Sequence, residues 1–269
     1  MKIFVCIKQV PGVSEVRIDP KTNTLIREGI PSIVNPYDKH AIELGLTIKE
    51  ECGGQVIALS MGPPQAEQAL REALSMGIDE AYLLTDRAFA GADTLATSHT
   101  LALGIKKLLS ESNKDEQYIV ICGTQAIDGD TAQVGPELAE ELNIPQITYV
   151  LNFQIKDKTS VVIERAFRTE ELVVIETKLP VLISVLKEIN QPRSPSVKGV
   201  VDAYEKKKVI YWNAEDLKAD KDEIGLNGSM TEVWKIFIPE RKGEHIILKG
   251  TLEEMVQDLC SNLKDDKVI

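Results

Sequence analysis

The stretch from Tyr118 to Leu142 reads YIVICGTQAIDGDTAQVGPELAEEL, and its pattern decides the fold. The short apolar run Ile119–Cys122 is typical of a buried strand, and Gly123 ends it. A polar loop follows, after which apolar residues recur at helical spacing. Strand, tight loop and helix in this order predict an open α/β sheet, in which nucleotides bind at the carboxyl ends of the strands.

Short polar residues stand where this helix is expected to begin. Asp128, Gly129 and Asp130 are predicted to cap it, because short carboxylates accept hydrogen bonds from first-turn N–H groups. The remaining free N–H groups could then hold a phosphate. Pro136 predicts a kink or a late helix start. A capped helix with no ligand explains the same residues, and this stretch taken alone slightly favours it.

The preceding chain repeats the strand-then-helix pattern. Asn35 is placed to cap a helix that opens at Pro36, and Asp93 to cap one that runs to Leu109. Four such units, with connections long enough for crossovers, predict a parallel sheet with helices on both faces. The other strand-like runs in this region are Lys2–Ile7, Gln55–Met61 and Ala81–Thr85.

The pattern changes after Gln146. Four strand-like runs separated by short turns predict antiparallel hairpins that extend the same sheet: VLNFQI, SVVIERAF, ELVVIETKL and PVLISVL. The predicted organisation is an α/β domain with this extension at 1–186, a Pro- and Ser-rich loop segment at 187–204 and a C-terminal tail at 205–269. The tail has too few apolar residues for a core of its own. Four of its side chains are expected to cover a partner or the main domain: Trp212, Trp234, Phe237 and Ile238.

Composition excludes several classes of protein. The apolar fraction of 43% and the charged fraction of 27% are ordinary for a globular protein, whereas a net charge of −11 argues against nucleic-acid and anionic membrane partners. No run approaches the ~18 apolar residues of a membrane span. The start, MKIFVCIKQV, is typical of a first strand and not of a signal peptide. The four cysteines form no CxxC pair, which predicts reduced thiols and a cytoplasmic location.

No catalytic or metal-binding motif is present: HExxH, GxSxG, GxxxxGK[ST] and GxGxxG are all absent. Four loops at strand ends remain, and they converge if the sheet is parallel: Cys6–Gln9, Asn35–Asp38, Met61–Gln65 and Gly123–Val134. Backbone groups and small polar side chains bind a cofactor without themselves moving protons. The chemistry would then be the cofactor's.

The opening stretch also resembles the nucleotide-binding signature of the beta subunits of electron transfer flavoproteins. Further motifs are similar to that family in the same order: KQVPG at Lys8–Gly12, VNPYDKHAIE at Val34–Glu43, MGPPQAEQALREALSMGIDEAYLLTD at Met61–Asp86 and FAGADTLATS at Phe89–Ser98. The resemblance covers about the first three-quarters of the chain and fades after Val201. Several ordered motifs are far more specific than one glycine pattern.

The resemblance implies an adenine nucleotide in this crevice. The matching positions are Cys6, Asn35, Pro36, Tyr37, Asp38, Met61, Gly123, Thr124, Gln125, Ala126, Ile127, Asp128, Gly129, Asp130, Thr131, Ala132, Gln133 and Val134. In the conventional branch the nucleotide is AMP, a structural ligand. In the electron-bifurcating branch it is FAD, which receives two electrons from NADH and passes one to ferredoxin or flavodoxin and one to the alpha subunit's FAD.

The segment GADTLATS resembles the bifurcating branch, so FAD is the predicted cofactor and AMP the alternative. Asp93, Thr94 and Thr97 are expected to help hold its pyrophosphate. A small-residue loop that leads into a free helix N-terminus agrees with this expectation, since FAD needs a second phosphate held.

The resemblance also implies partners. The chain is expected to pair with an alpha subunit and to act as an enzyme only within a complex that serves an acyl-CoA dehydrogenase or reductase. QPRSPSV is similar to the loop that inserts an aliphatic anchor, often leucine, into the dehydrogenase, so Arg193 and Val197 are the predicted partner-binding residues. An exposed linker is the alternative for this loop. A stand-alone ATP-binding or ATP-splitting domain is a third interpretation, weakened because no phosphate loop with lysine is present.

Overall fold

The structure, a computed structural model, describes residues 1–12, 17–18, 25–26, 32–111, 116–168, 171–234 and 246–268. The chain divides into two compact units, Met1–Trp234 and Lys235–Ile269. The strands of the first unit are β1 (Lys2–Cys6), β2 (Gln9–Pro11), β3 (Arg17–Ile18), β4 (Leu25–Ile26), β5 (Ser32–Val34), β6 (Gln55–Met61), β7 (Glu80–Leu84), β8 (Tyr118–Gly123), β9 (Gln146–Ile155), β10 (Ser160–Arg168), β11 (Glu171–Lys178), β12 (Val181–Val185) and β13 (Val209–Trp212). Its helices are α1 (Pro36–Cys52), α2 (Glu67–Met76), α3 (Thr94–Ser110), α4 (Val134–Leu142) and α5 (Val197–Glu205).

Nine strands form one sheet in the order β11-β10-β9-β12-β8-β1-β6-β7-β13. The neighbours from β9 to β13 pair in parallel, and β9, β10 and β11 pair antiparallel. Two short antiparallel pairs, β2 with β5 and β3 with β4, lie outside this sheet. The predicted α/β fold, a mostly parallel sheet extended by antiparallel strands, is confirmed.

The two faces of the sheet carry separate hydrophobic clusters. In β1, Ile3 and Val5 belong to the cluster that includes residues of α1, α2 and α5, whereas Phe4 and Cys6 belong to the cluster that includes residues of α3 and α4. Successive side chains of a strand point to opposite faces, so an uninterrupted apolar strand such as β1 needs helices on both sides. The predicted layering is confirmed.

The expectation for PVLISVL was wrong. This run forms β12, which is not part of a hairpin but lies between β8 and β9 and pairs in parallel with both. All five residues of β12 are buried, as a strand with neighbours on both edges and helices on both faces requires. The first half of β9 pairs with β12 and its second half with β10, so the antiparallel extension branches off at Val150.

Part of the predicted tail belongs to the main sheet. β13 pairs in parallel with β7, and the ring centroid of Trp212 lies 4.5 Å from that of Tyr82. Trp234 is 96% exposed, whereas Phe237 and Ile238 lie outside the described residues. The predicted boundaries of 1–186, 187–204 and 205–269 stay predictions.

The second unit contains helix α6 (Leu252–Asp265). Thr251 and Glu254 form a reciprocal capping box at its start. Within the described ranges, no helix combines the length and hydrophobicity needed to cross a bilayer.

Candidate functional site

The order of the strands creates a crevice beside β1. From β1 the chain winds outward through β6 and β7 on one side, whereas β8 and β12 lie on the other. The loops after β1 and β8 therefore leave neighbouring strands in different directions. In open α/β sheets such a switch point is where ligands bind.

Asn35 and Asp38 tie three loops together at this point. The Asn35 amide donates to Asp38 Oδ1 at 2.9 Å and to the carbonyl of Gln125 at 2.8 Å. Its oxygen accepts from the N–H of Ile127 at 3.2 Å, and Asp38 Oδ2 accepts from the N–H of Lys8 at 2.7 Å. Asn35 precedes α1 as predicted, but its side chain makes no capping bond. It instead fixes the loop after β8.

Asp38 is a buried carboxyl group beneath the crevice. Burial raises the pKa of Asp38 to about 7, although hydrogen bonds from Asn35 and from the backbone of Lys8 and Gly123, with the charge of Lys8, act in the opposite direction. Cys6 and Cys122 are register partners on β1 and β8. The hydrogen bond with Cys6, burial and the nearby Asp38 raise the pKa of the Cys122 thiol, which keeps it protonated.

Gly123 allows α1 and β8 to approach closely. A Cβ at this position would lie 2.3 Å from Asp38 Oδ1, 2.7 Å from Tyr37 Cβ and 2.8 Å from the Tyr37 carbonyl carbon. Pro36 is the exposed first residue of α1. The absence of a side chain at Gly123 is therefore what lets the start of α1 lie against the end of β8.

The loop after β8 is held by its own polar groups. Thr124 donates both its N–H and its hydroxyl to the carbonyl of Val185, at 3.1 and 2.7 Å. The Gln125 amide donates to Asp130 Oδ1 at 2.8 Å, and the N–H of Asp130 donates to the carbonyl of Ala126 at 2.9 Å. Asp130 and Ala132 adopt left-handed φ values of 51° and 54°. Ala132 is half-buried. The other residues of the loop are exposed: Ile127, Asp128, Gly129, Thr131 and Gln133.

The predicted cap of the following helix was wrong. α4 begins at Val134 with Gln133 at the N-cap position, and Gln133 makes no capping bond. The late start that Pro136 predicted is confirmed, because as the third helical residue it stands where an N–H has no intrahelical partner. The motif Asp128–Asp130 therefore shapes the loop and does not cap the helix.

A cleft of about 210 Å³ opens beside the loop. Its lining includes Lys8, Met61, Pro63 and Asp128, and Lys8 Nζ lies 2.7 Å from Asp128 Oδ1. Lys8 lies in the predicted loop Cys6–Gln9 but was not named among the nucleotide-binding residues, although its position directly after the first strand was a usable signal. It supplies a cation at the mouth of the crevice.

Asp93 caps α3 but is fully engaged by its own chain. Its Oδ1 accepts from the N–H of Ala96 at 3.0 Å, as predicted. Its Oδ2 accepts from the N–H of Met230 and from the N–H and hydroxyl of Thr231, each at 2.9 Å. Burial acts to raise the pKa of Asp93, but these hydrogen bonds outweigh it and hold the pKa below its usual range.

The starts of α3 and α4 are joined through Glu137. Its carboxylate accepts from the Thr94 hydroxyl at 3.1 Å and from the Ser98 hydroxyl at 3.2 Å. Thr97 is half-buried one turn into α3. The first-turn N–H groups of Thr94 and Leu95 have no acceptor among the described residues.

The side chain of Arg193 is bound by acidic residues of the same chain. Its guanidinium donates to Glu43 through Nε and Nη2, both at 2.9 Å, and to Glu50 through Nη1 at 2.5 Å. Val197 is 85% exposed, but it is the first residue of α5 and does not lie in the irregular loop predicted for it. Ser196 caps that helix by accepting from the N–H of Gly199. Among the described residues, no metal-binding cluster of His, Cys, Asp and Glu is found.

Comparison with known proteins decides the family. Residues 22–217 match the sequence model described as the electron transfer flavoprotein domain. The chain belongs to the electron transfer flavoprotein family. It is 55% identical to an electron transfer flavoprotein subunit beta of Thermoanaerobacterium thermosaccharolyticum over 273 residues, with both chains covered completely. This places it among the beta subunits of electron transfer flavoprotein complexes.

Two other relatives are named as parts of reductase complexes. The chain is 50% identical to subunit CarD of the caffeyl-CoA reductase-Etf complex of Acetobacterium woodii. It is 42% identical to the acryloyl-CoA reductase electron transfer subunit gamma of Anaerotignum propionicum. Both matches cover all of this chain and all of the relative.

Proposed function

We propose that this chain is the beta subunit of an electron-bifurcating electron transfer flavoprotein and binds FAD in the crevice beside β1. The bound FAD would supply the chemistry, in which two electrons from NADH are divided between ferredoxin or flavodoxin and, through the alpha subunit's FAD, an acyl-CoA dehydrogenase or reductase. The main support is that relatives aligned over their full length are named as parts of acyl-CoA reductase complexes. A flavoprotein that reduces such an enzyme must itself receive electrons from a donor, which in this proposal is NADH.

The described residues fit an adenine nucleotide. The loop fixed by Asn35 lies at the switch point, where Gly123 lets the start of α1 pack against the end of β8. Lys8, paired with Asp128 at 2.7 Å, would exchange that partner for a phosphate of the nucleotide. The N–H groups of Thr94 and Leu95, for which the described part of the chain supplies no acceptor, begin a second helix whose N-terminus would hold another phosphate.

A conventional beta subunit with structural AMP is the second candidate. The cleft of about 210 Å³ is smaller than the roughly 300–1,000 Å³ of sites that enclose drug-sized ligands. Two carboxylates, Asp93 and Glu137, also stand at the start of α3, and a carboxylate repels a phosphate. In the FAD proposal, Asp93 therefore positions the helix and the N–H groups hold the phosphate.

Counting nucleotides tests the choice between these functions. The heterodimer of this chain with its alpha subunit is purified. Its nucleotides are then released by acid and separated by chromatography. We expect two FAD molecules per heterodimer and no AMP. One FAD and one AMP would reject the FAD proposal in favour of the conventional subunit.

We further propose that residues 187–204, called the docking segment below, contact the acyl-CoA dehydrogenase. Val197 is the most exposed apolar residue of the segment. Val197→Ala is expected to weaken docking by about 1 kcal/mol, a factor of about five in Kd, while nucleotide content stays unchanged. The measurement is electron transfer to the dehydrogenase at limiting flavoprotein concentration.

The matched control is Val174→Ala on β11, where the valine is 62% exposed. This variant should leave docking unchanged, since it removes similar apolar surface elsewhere. Equal rates for Val197→Ala and the unaltered heterodimer would mean that the segment is a linker.

A further inference from the structure

Helix α5 carries an apolar ridge on its outer side. The ridge consists of four exposed side chains: Val197 at 85%, Val200 and Val201 at 43% each, and Tyr204 at 63%. Their spacing of three, four and seven residues places them on one face of the helix. An apolar helix face of this kind fits a hydrophobic groove on a partner.

The opposite side of α5 is seated on α2. A Cβ at Gly199 would lie 2.2 Å from the carbonyl oxygen of Ser75, so the two backbones approach closely there. Ala203 on the same side is fully buried. The inner face is therefore fixed, and the ridge faces outward.

Arg71 of α2 holds the end of α5. Its Nη1 donates to the carbonyl of Ala203 and, at 2.9 Å, to that of Lys207. Glu67 holds the guanidinium at 2.8 Å, and the guanidinium carbon lies 5.5 Å from the centre of the Tyr204 ring. Arg71 thus satisfies carbonyls at the helix end and supports the last side chain of the ridge.

Arg193 holds the chain before α5. Its guanidinium binds Glu43 and Glu50 of α1. Hydrogen bonds with Glu50 and Glu43 raise the pKa of Arg193 above its ordinary, already high value. The Asn190 amide also donates to the carbonyl of His40 at 3.0 Å. Planar forks of this kind fix geometry as well as charge.

We propose that Arg71 and Arg193 are positioning residues that hold α5 ready to dock, and that Val200, Val201 and Tyr204 extend the contact made by Val197. This inference rests on the proposed docking function of the segment. Fixing the helix before the encounter lowers the entropy lost on binding. The arginines act through α5 and do not themselves contact the partner.

The occupant is the acyl-CoA dehydrogenase or reductase, with an apolar groove and an acidic rim. Residues 193–208 carry five basic and two acidic side chains. Arg193 is paired with Glu43 and Glu50, and Lys206 is paired with Asp202. Lys198, Lys207 and Lys208 then stand against Glu205 alone, whereas the whole chain has a net charge of −11. This local reversal of sign favours a negatively charged rim around the groove.

Arg71→Lys and Arg193→Lys in the heterodimer test the inference. Lysine keeps the charge but lacks the planar fork. Each variant is expected to raise the KM for the flavoprotein about five-fold in the dehydrogenase assay while leaving kcat unchanged. Hydrogen exchange of the α5 amides should become about ten-fold faster in Arg71→Lys, because the carbonyls at the end of α5 lose the guanidinium that binds them.

The control is Arg165→Lys on β10, where the arginine Nε donates to the carbonyl of Thr148 at 2.9 Å. This variant loses a similar hydrogen bond to a carbonyl, but in the sheet and away from α5, and it should keep the KM of the unaltered protein. Unchanged KM values in both test variants, with normal transfer by the unaltered heterodimer, would overturn the inference alone. No transfer by the unaltered heterodimer would overturn the proposed function.

Should Arg71→Lys fail to fold, Tyr204→Ala and Val200→Ala replace it, since both side chains are exposed. Each is expected to raise the KM about five-fold without changing nucleotide content. Unchanged KM values in these two variants would show that the ridge does not dock.

Discussion

Replacing Gly123 by alanine is expected to lower the free energy of unfolding by about 3 kcal/mol and to abolish the proposed nucleotide binding. The new Cβ would lie 2.3 Å from Asp38 Oδ1 and 2.8 Å from the Tyr37 carbonyl carbon. Because one of these atoms is backbone, the start of α1 must move away from β8. That movement would break the bonds through which Asn35 holds the loop after β8.

Gly135→Ala is the matched control. A Cβ there would meet its nearest atoms at 3.6 to 3.9 Å, which is ordinary contact, and alanine favours a helix over glycine by about 1 kcal/mol. Thermal unfolding and nucleotide extraction compare the two variants. Normal nucleotide content in Gly123→Ala would show that the close approach of α1 and β8 is not needed for binding.

Replacing Asp38 by asparagine is expected to remove a pH dependence of stability. Burial raises the pKa of Asp38 from 3.8 to about 7 in the folded chain. Between these values the folded state keeps a proton that the unfolded state has lost, so stability falls as pH rises and the loss is complete above about pH 7. From pH 5 to 8 this amounts to about 3 kcal/mol, most of it lost below pH 7 at 1.36 kcal/mol per pH unit.

Urea unfolding of the heterodimer at fixed concentration, from pH 5 to 8, measures this effect. The unfolding free energy of the unaltered protein minus that of Asp38→Asn should fall by about 3 kcal/mol between pH 5 and 8, with most of the fall below pH 7. Asp157→Asn is the control, because hydrogen bonds from Ser160 and Thr159 lower the pKa of Asp157 to about 2, below the measured window. A difference for Asp38→Asn that does not change with pH would mean that its hydrogen-bond donors keep Asp38 ionised.

The first four strand-and-helix units of the parallel core could be predicted because each of them has a local signal. Apolar runs such as Ile119–Cys122 and the long connections between them are enough to infer crossovers. The position of β12 could not be inferred in this way. Its short link to β11 suggested a hairpin. β12 instead lies between β8 and β9, where both of its faces are buried.

The loops of the candidate site could be located from the sequence, but the hydrogen bonds between them could not. Asn35 had the local pattern of a helix cap, yet its amide donates to Gln125, 90 residues away. The Pro- and Ser-rich stretch before Val197 suggested a loop, whereas α5 is stabilised by its seat on α2 and by Arg71. Contacts between distant segments leave no periodic signal in one sequence.

The insertion of β12 between β8 and β9 has a consequence for synthesis on the ribosome. Once β1 and β8 have emerged they can pair, but the outer edge of β8 stays open until residue 185 has also emerged. An open apolar edge strand invites pairing with other chains, and partners so far apart in sequence slow folding. The nascent chain therefore passes through a stage in which its central sheet is incomplete and prone to aggregation, and at which a chaperone would have the most effect.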